Sequence, residues 1–163
     1  MGGGNRTASR VSYSKVISEH KPLNHNSERE GSNSELPKKR VFISFHMENE
    51  AQIQLLRHQA KSDKFDLEFT DYSVKEPFDS QWKVRCAERI RQSSVVICMI
   101  GTETYKRPAV LWELNTAYQM GKTVIGVRIH KDRNDPIPGP LLRNRAKVIN
   151  WNMEDMQNAI DEE

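Results

Sequence analysis

Residues 94–129, SVVICMIGTETYKRPAVLWELNTAYQMGKTVIGVRI, read as strand, loop, helix and strand. Val95 to Ile100 carries no polar side chain, as a strand covered on both faces of a parallel sheet requires. Gly101 ends the run, and the loop Thr102 to Arg107 leads to Pro108, which suits a first helical turn because the N–H it lacks has no partner there. Gly121 closes that helix and Thr123 to Ile129 returns as a second buried strand. Such a βαβ unit takes a right-handed crossover.

One residue of the helix breaks its pattern. Val110, Leu114, Ala117, Tyr118 and Met120 share an apolar arc, and Glu113 falls between the directions of Met120 and Ala117. A carboxylate there either sits at the rim of the core, favoured by the dipole near the helix start, or enters a cleft.

Working outward, the flanks repeat the alternation. Arg40 to Phe45 is a short strand, and Glu48 to about Ser62 a helix with Ile53, Leu55, Leu56 and Ala60 as its apolar side. Phe65 to Thr70 alternates apolar and polar residues, as a strand nearer a sheet edge does, and Asp71 to Asp79 is a polar loop. Gln81 to Gln92 reads as a helix with Val84, Ala87 and Ile90 toward the sheet. Lys131 to Asn144, with three prolines, is expected to be irregular, followed by a last strand Lys147 to Trp151 and a helix Met153 to Ile160. The order predicts an α/β protein: a flavodoxin-like three-layer α/β/α sandwich around a five-stranded parallel sheet.

Residues 1–38 are rich in Ser, Asn, Arg, Lys, Glu and Gly and hold too few apolar side chains to offset the entropy of ordering; they are expected to be a disordered N-terminal tail, with residues 39–163 as the folded domain. The 25 basic and 22 acidic residues are well mixed, and no basic stripe interleaved with aromatics suggests nucleic acid. No apolar run is long enough to span a bilayer, so no membrane association is expected. Cys86 and Cys98 fall on a helix and a buried strand without metal-ligand spacing, which reads as reduced thiols in a cytoplasmic protein with no metal.

In sheets of this kind ligands bind beyond the carboxyl ends of the strands. No GxGxxG or Walker loop follows the first strand, where the chain reads SFHMENE, and no Gly-x-Ser-x-Gly elbow is present. What remains is a cleft lined by Ser44, Phe45, His46, Asp71, Tyr72 and Ser73, with Glu113 entering from the helix after the third strand. For each of these the functional role stands beside a plain one. Phe45 and Tyr72 stack on a ligand ring or pack the rim. Ser44 and Ser73 bind phosphate or ribose, or make a local turn hydrogen bond. His46 and Asp71 contact the ligand or shape their loops, and Arg107 meets a pyrophosphate at the helix start or stays solvated.

FISFH, FTDYSV, SSVVICMIGTETY and LWELNTAYQMGKTVIGV, in this order and spacing, resemble the TIR-like domains of bacteria, particularly those of Thoeris antiphage defence, over about residues 39–150. In TIR enzymes a Trp-x-x-x-Glu pattern lies on this helix, and its Glu cleaves NAD at the nicotinamide–ribose bond. The resemblance places that role on Glu113 and makes Trp112 the aromatic often found just before the Glu. The first Trp of the pattern falls on Ala109, which leaves one pocket wall smaller. The resemblance implies an enzyme of the NAD glycohydrolase or ADP-ribosyl cyclase type, with NAD as substrate and no cofactor. Its product would be a cyclic ADP-ribose isomer or an ADP-ribose conjugate, a second messenger that activates a separate effector. It also implies a homo-oligomer or trigger-induced assembly. The alternative is a non-catalytic interaction module that acts by self-association or partner binding.

Overall fold

The computed structural model describes residues 38–61, 67–71 and 80–163. The chain divides into Met1–Ser34 and Glu35–Glu163, and every described residue belongs to the second unit. The expectation of a disordered tail therefore falls, but for Lys38, outside the described residues.

Five parallel strands form the sheet: β1 (Lys39–Ser44), β2 (Leu67–Asp71), β3 (Val95–Ile100), β4 (Thr123–Arg128) and β5 (Val148–Asn150), in the order β2-β1-β3-β4-β5. The α/β class is as the alternation of patterns predicts, and this order is the flavodoxin-like one. Every residue of β3 is buried, which is why its six residues are apolar without interruption. β2 is an edge strand, where its sequence alternation put it.

The helices cover both faces. Ile53, Leu56 and Ala60 of α1 (Glu50–Ala60) and Met156, Ala159 and Ile160 of α5 (Met153–Asp161) close one core with Val41, Ile43, Ile97 and Met99. The other core joins Phe42, Val96, Cys98 and Ile100 to Trp82, Cys86 and Ile90 of α2 (Ser80–Gln92), and to Val110, Leu114 and Ala117 of α3 (Pro108–Gln119). Alternate residues of each strand thus serve opposite layers, as the pleat requires. Removing one such fully buried side chain costs about 2–5 kcal/mol.

Three expectations need correction. Leu55 and Val84 do not face the sheet but are 52% and 70% exposed. The buried stripe of α1 runs through Ile53, Leu56 and Ala60, and that of α2 through Trp82, Cys86 and Ile90, so Val84 lies nearly opposite Trp82 around the helix axis. The segment with three prolines also contains a short helix, α4 (Gly139–Arg143). Pro138 is its N-cap and Pro140 falls in its first turn, where a proline breaks no intrahelical bond.

Gly121 has φ of +68°, the left-handed conformation that ends α3 and turns the chain into β4. Gly101 is required for another reason: a Cβ there would come within 2.7 Å of the Asn49 side-chain nitrogen. The turns after β1 and β3 are therefore packed together at the end of the sheet where the candidate site lies. The Thr104 hydroxyl accepts from Gly101 N at 2.9 Å and donates to Met99 O at 3.2 Å, fixing the second of these turns.

Candidate active site

Glu113 lies on the second turn of α3, only 3% exposed. It does not reach out to water at the rim of the core. Its carboxyl points back across the helix–sheet interface, where Ser44 Oγ donates to Oε2 at 2.5 Å and Cys86 Sγ donates to Oε1 at 3.8 Å. Ser44 is the last residue of β1 and is fully buried; Cys86 sits at mid-helix in α2 and is fully buried too. Three elements distant in sequence thus converge on one carboxyl group. Ser44 pairs in register with Cys98 of β3, so the site stands where β1 and β3 lie side by side. From these two strands the chain runs on in opposite directions along the sheet, which makes this the topological switch point at which such sheets bind ligands.

Burial pushes the Glu113 carboxyl up to about 8, against the pull of the Ser44 and Cys86 hydrogen bonds, which favour the charged form. A carboxyl raised in this way favours its uncharged form at neutral pH. Burial also drives the Cys86 thiol upward, reinforced by Glu113, and does the same to Cys98, so both cysteines remain protonated thiols.

The other expected residues divide. Ser44 joins Glu113 directly. Phe45 does not: it follows Ser44 and packs against the core on the α1 and α5 side of the sheet, because successive strand residues point to opposite faces. Of the two roles weighed for it, stacking on a ligand ring or packing, the packing is the one in view. His46 lies in the turn after β1, with Nε2 3.5 Å from Glu48 Oε2. Arg107, the N-cap of α3, faces Glu103 at 3.4 Å and Glu48 at 3.7 Å through Nη2. His46 and Arg107 thus share the Glu48 carboxylate at the rim of the switch point, apart from the Ser44–Glu113 bond.

Trp112 packs, half-buried, against Trp82 of α2 with ring centroids 5.2 Å apart and planes at 52°, and Lys83 Nζ stands 5.9 Å from its ring centre. Trp82 was not among the expected site residues, yet it is 3% exposed and anchors Trp112. Ala109, where the TIR pattern has Trp, packs partly buried against the same core. Asp71 ends β2 and pairs in register with Ile43, next to Ser44. Tyr72 and Ser73 lie outside the described residues. Among the described residues no cluster of His, Cys, Asp and Glu could hold a metal ion, and no helix is long and apolar enough to cross a membrane.

Fold and site together define a small α/β domain with a buried carboxyl at the switch point of a flavodoxin-like sheet. Residues 42–134 match the family model of the Thoeris protein ThsB, TIR-like domain, and the chain belongs to that family. Similar solved structures include a conserved protein from Enterococcus faecalis V583, at 13% identity and a TM-score of 0.52, covering 76% of this chain and 98% of that one. Another is the CMP N-glycosidase BcmB from Clostridium botulinum, at 18% identity and a TM-score of 0.49, covering 77% of this chain and 100% of that one. The first of these shows the fold. No curated protein matches the chain.

Proposed function

We propose that this TIR-like domain cleaves NAD at the nicotinamide–ribose bond, with Glu113 as the catalytic carboxylate. Its product is an ADP-ribose-derived signalling nucleotide, a cyclic isomer or a conjugate, that acts on a separate effector in antiphage defence. The observation that carries the reading is the Glu113 carboxyl, buried at the β1/β3 switch point and held by Ser44 and Cys86. Membership of the Thoeris TIR-like family supports the substrate and the setting.

The chemistry asks little of the protein beyond that carboxyl. Nicotinamide bound to C1′ carries a formal positive charge and leaves as a neutral base with the bonding electron pair. No general acid is therefore needed, and the barrier lies in the oxocarbenium-like character that develops on the ribose. A carboxylate that accepts hydrogen bonds from the ribose hydroxyls lowers that barrier, more so in a dry site. A fixed positive charge on the bound substrate also favours the ionised form of a neighbouring carboxyl. Cationic NAD thus favours loss of the Glu113 proton to water, and a ribose hydroxyl then donates to Oε2 in place of Ser44 Oγ. Water at C1′ then gives ADP-ribose with loss of a proton, whereas the adenine or another nucleophile gives a cyclised or conjugated product.

The test is to incubate the full chain at high concentration with NAD, with and without infected-cell lysate, and resolve the products chromatographically. Nicotinamide release together with an ADP-ribose-derived product supports the reading. No release, in an assay where a known NAD-cleaving enzyme is active, contradicts it and favours a module that acts by association.

A further inference from the structure

We infer that Cys86 is a positioning residue for Glu113: its thiol holds the second carboxyl oxygen and, as a weak donor, does so without stabilising charge there as a hydroxyl would. The inference rests on the catalytic role proposed for Glu113 and adds to it the control of that same group. The geometry is a two-sided clamp. Ser44 from β1 holds Oε2 at 2.5 Å, and Cys86 from α2 holds Oε1 at 3.8 Å, so neither oxygen is left without a partner although the residue is 3% exposed. A fully buried carboxyl with one orphaned oxygen would be costly, and the thiol fills that position.

The choice of sulfur matters because a thiol is a poor hydrogen-bond donor. Charge on a buried carboxylate is stabilised in proportion to the donors that face it, so a hydroxyl at residue 86 would favour the ionised form far more than a thiol does. Among the described residues no cation contributes to the position of the Glu113 carboxyl. From β3 the facing titratable group is Cys98, itself a buried thiol. β1 contributes the Ser44 hydroxyl, and α2 contributes Cys86, with Arg89 three residues further on acting on the thiol. α4 and β4 bring the apolar Leu141 and Val124 to the same core. Burial, Ser44 and Cys86 together account for the position of the Glu113 carboxyl, and Cys86 is the member of that set whose strength is easily changed.

Two substitutions in the full chain bracket the effect. Cys86→Ser supplies a stronger donor in nearly the same space, and Cys86→Val fills the space without a donor. The readout is the titration of Glu113 itself, followed by carbon NMR of labelled glutamate carboxyls and assigned by comparison with Glu113→Gln. The midpoint is expected to fall by roughly one pH unit in Cys86→Ser and to rise in Cys86→Val. The pH profile of nicotinamide release moves in the same order. Circular dichroism identifies a variant that does not fold, in which case the direction shown by the other decides. Folded variants that titrate Glu113 at the wild-type midpoint, or that both shift it the same way, would overturn the inference. Absence of nicotinamide release from every protein at every pH would instead remove the proposed reaction, while the carboxyl titration would still decide the role of Cys86.

Discussion

Ser44 and Glu113, 69 residues apart in sequence, meet in a buried hydrogen bond of 2.5 Å between the end of β1 and the second turn of α3. The bond ties the sheet's switch point to the helix that carries the candidate catalytic group. It also pulls a carboxyl that burial raises to about 8 back toward its charged form. The predictions below follow from that opposition.

The pH dependence of turnover should show it directly. kcat/KM reports the free enzyme, so for NAD it is expected to rise with pH and level off above about 8. kcat reports the substrate complex, where the cationic nicotinamide favours the carboxylate, and its midpoint should lie lower. Steady-state rates of nicotinamide release between pH 5 and 10 check both. Coincident midpoints near that of an ordinary glutamate would count against a neutral resting acid.

Ser44→Ala removes the donor to Oε2 and so raises the carboxyl further. At pH 7 the variant is expected to lose roughly tenfold in kcat/KM, the worth of about one pH unit of displaced ionisation, and to recover much of that loss at pH 9. A loss that is the same at both pH values would mean that Ser44 acts on the substrate instead.

Stability carries the same signature with a definite sign. A carboxyl raised on folding binds its proton more tightly in the native state, so from about 4.5 up to about 8 each pH unit costs the fold about 1.4 kcal/mol through this group. Below that window the group contributes no slope, and above it the cost is constant. Glu113→Gln cannot ionise and lacks this slope. Denaturant midpoints of the two proteins should therefore diverge between pH 5 and 8, with wild type losing more.

Gly121→Ala tests the fold apart from the site. The φ of +68° at this position places an alanine in the left-handed region, and the expected loss is about 1 kcal/mol of stability with turnover per folded molecule unchanged. Urea unfolding alongside the NAD assay measures both.

Much of this arrangement was legible in the sequence, for physical reasons that particular residues make clear. The uninterrupted run Val95 to Ile100 could only be a doubly covered strand, and Glu113 stood out because a charge on an apolar arc needs a partner. Phe45 shows a signal that was present and unread: strand alternation puts it and Ser44 on opposite faces, so only one of them can approach α3. Cys86 had no such signal. A thiol on the buried stripe of an amphipathic helix looks the same whether it fills space or holds a carboxyl, and only the fold brings α2 against α3. Leu55 and Val84 were misplaced because a short helix with few apolar residues leaves its rotational phase weakly determined.

The central claim is most directly tested by nicotinamide release from NAD by wild type and by Glu113→Gln, each shown to be folded, under identical conditions at pH 8. The account predicts turnover by wild type and a loss of at least about a hundredfold in the variant, since the amide cannot supply the charge that meets the developing oxocarbenium. Equal turnover by the two proteins would contradict it.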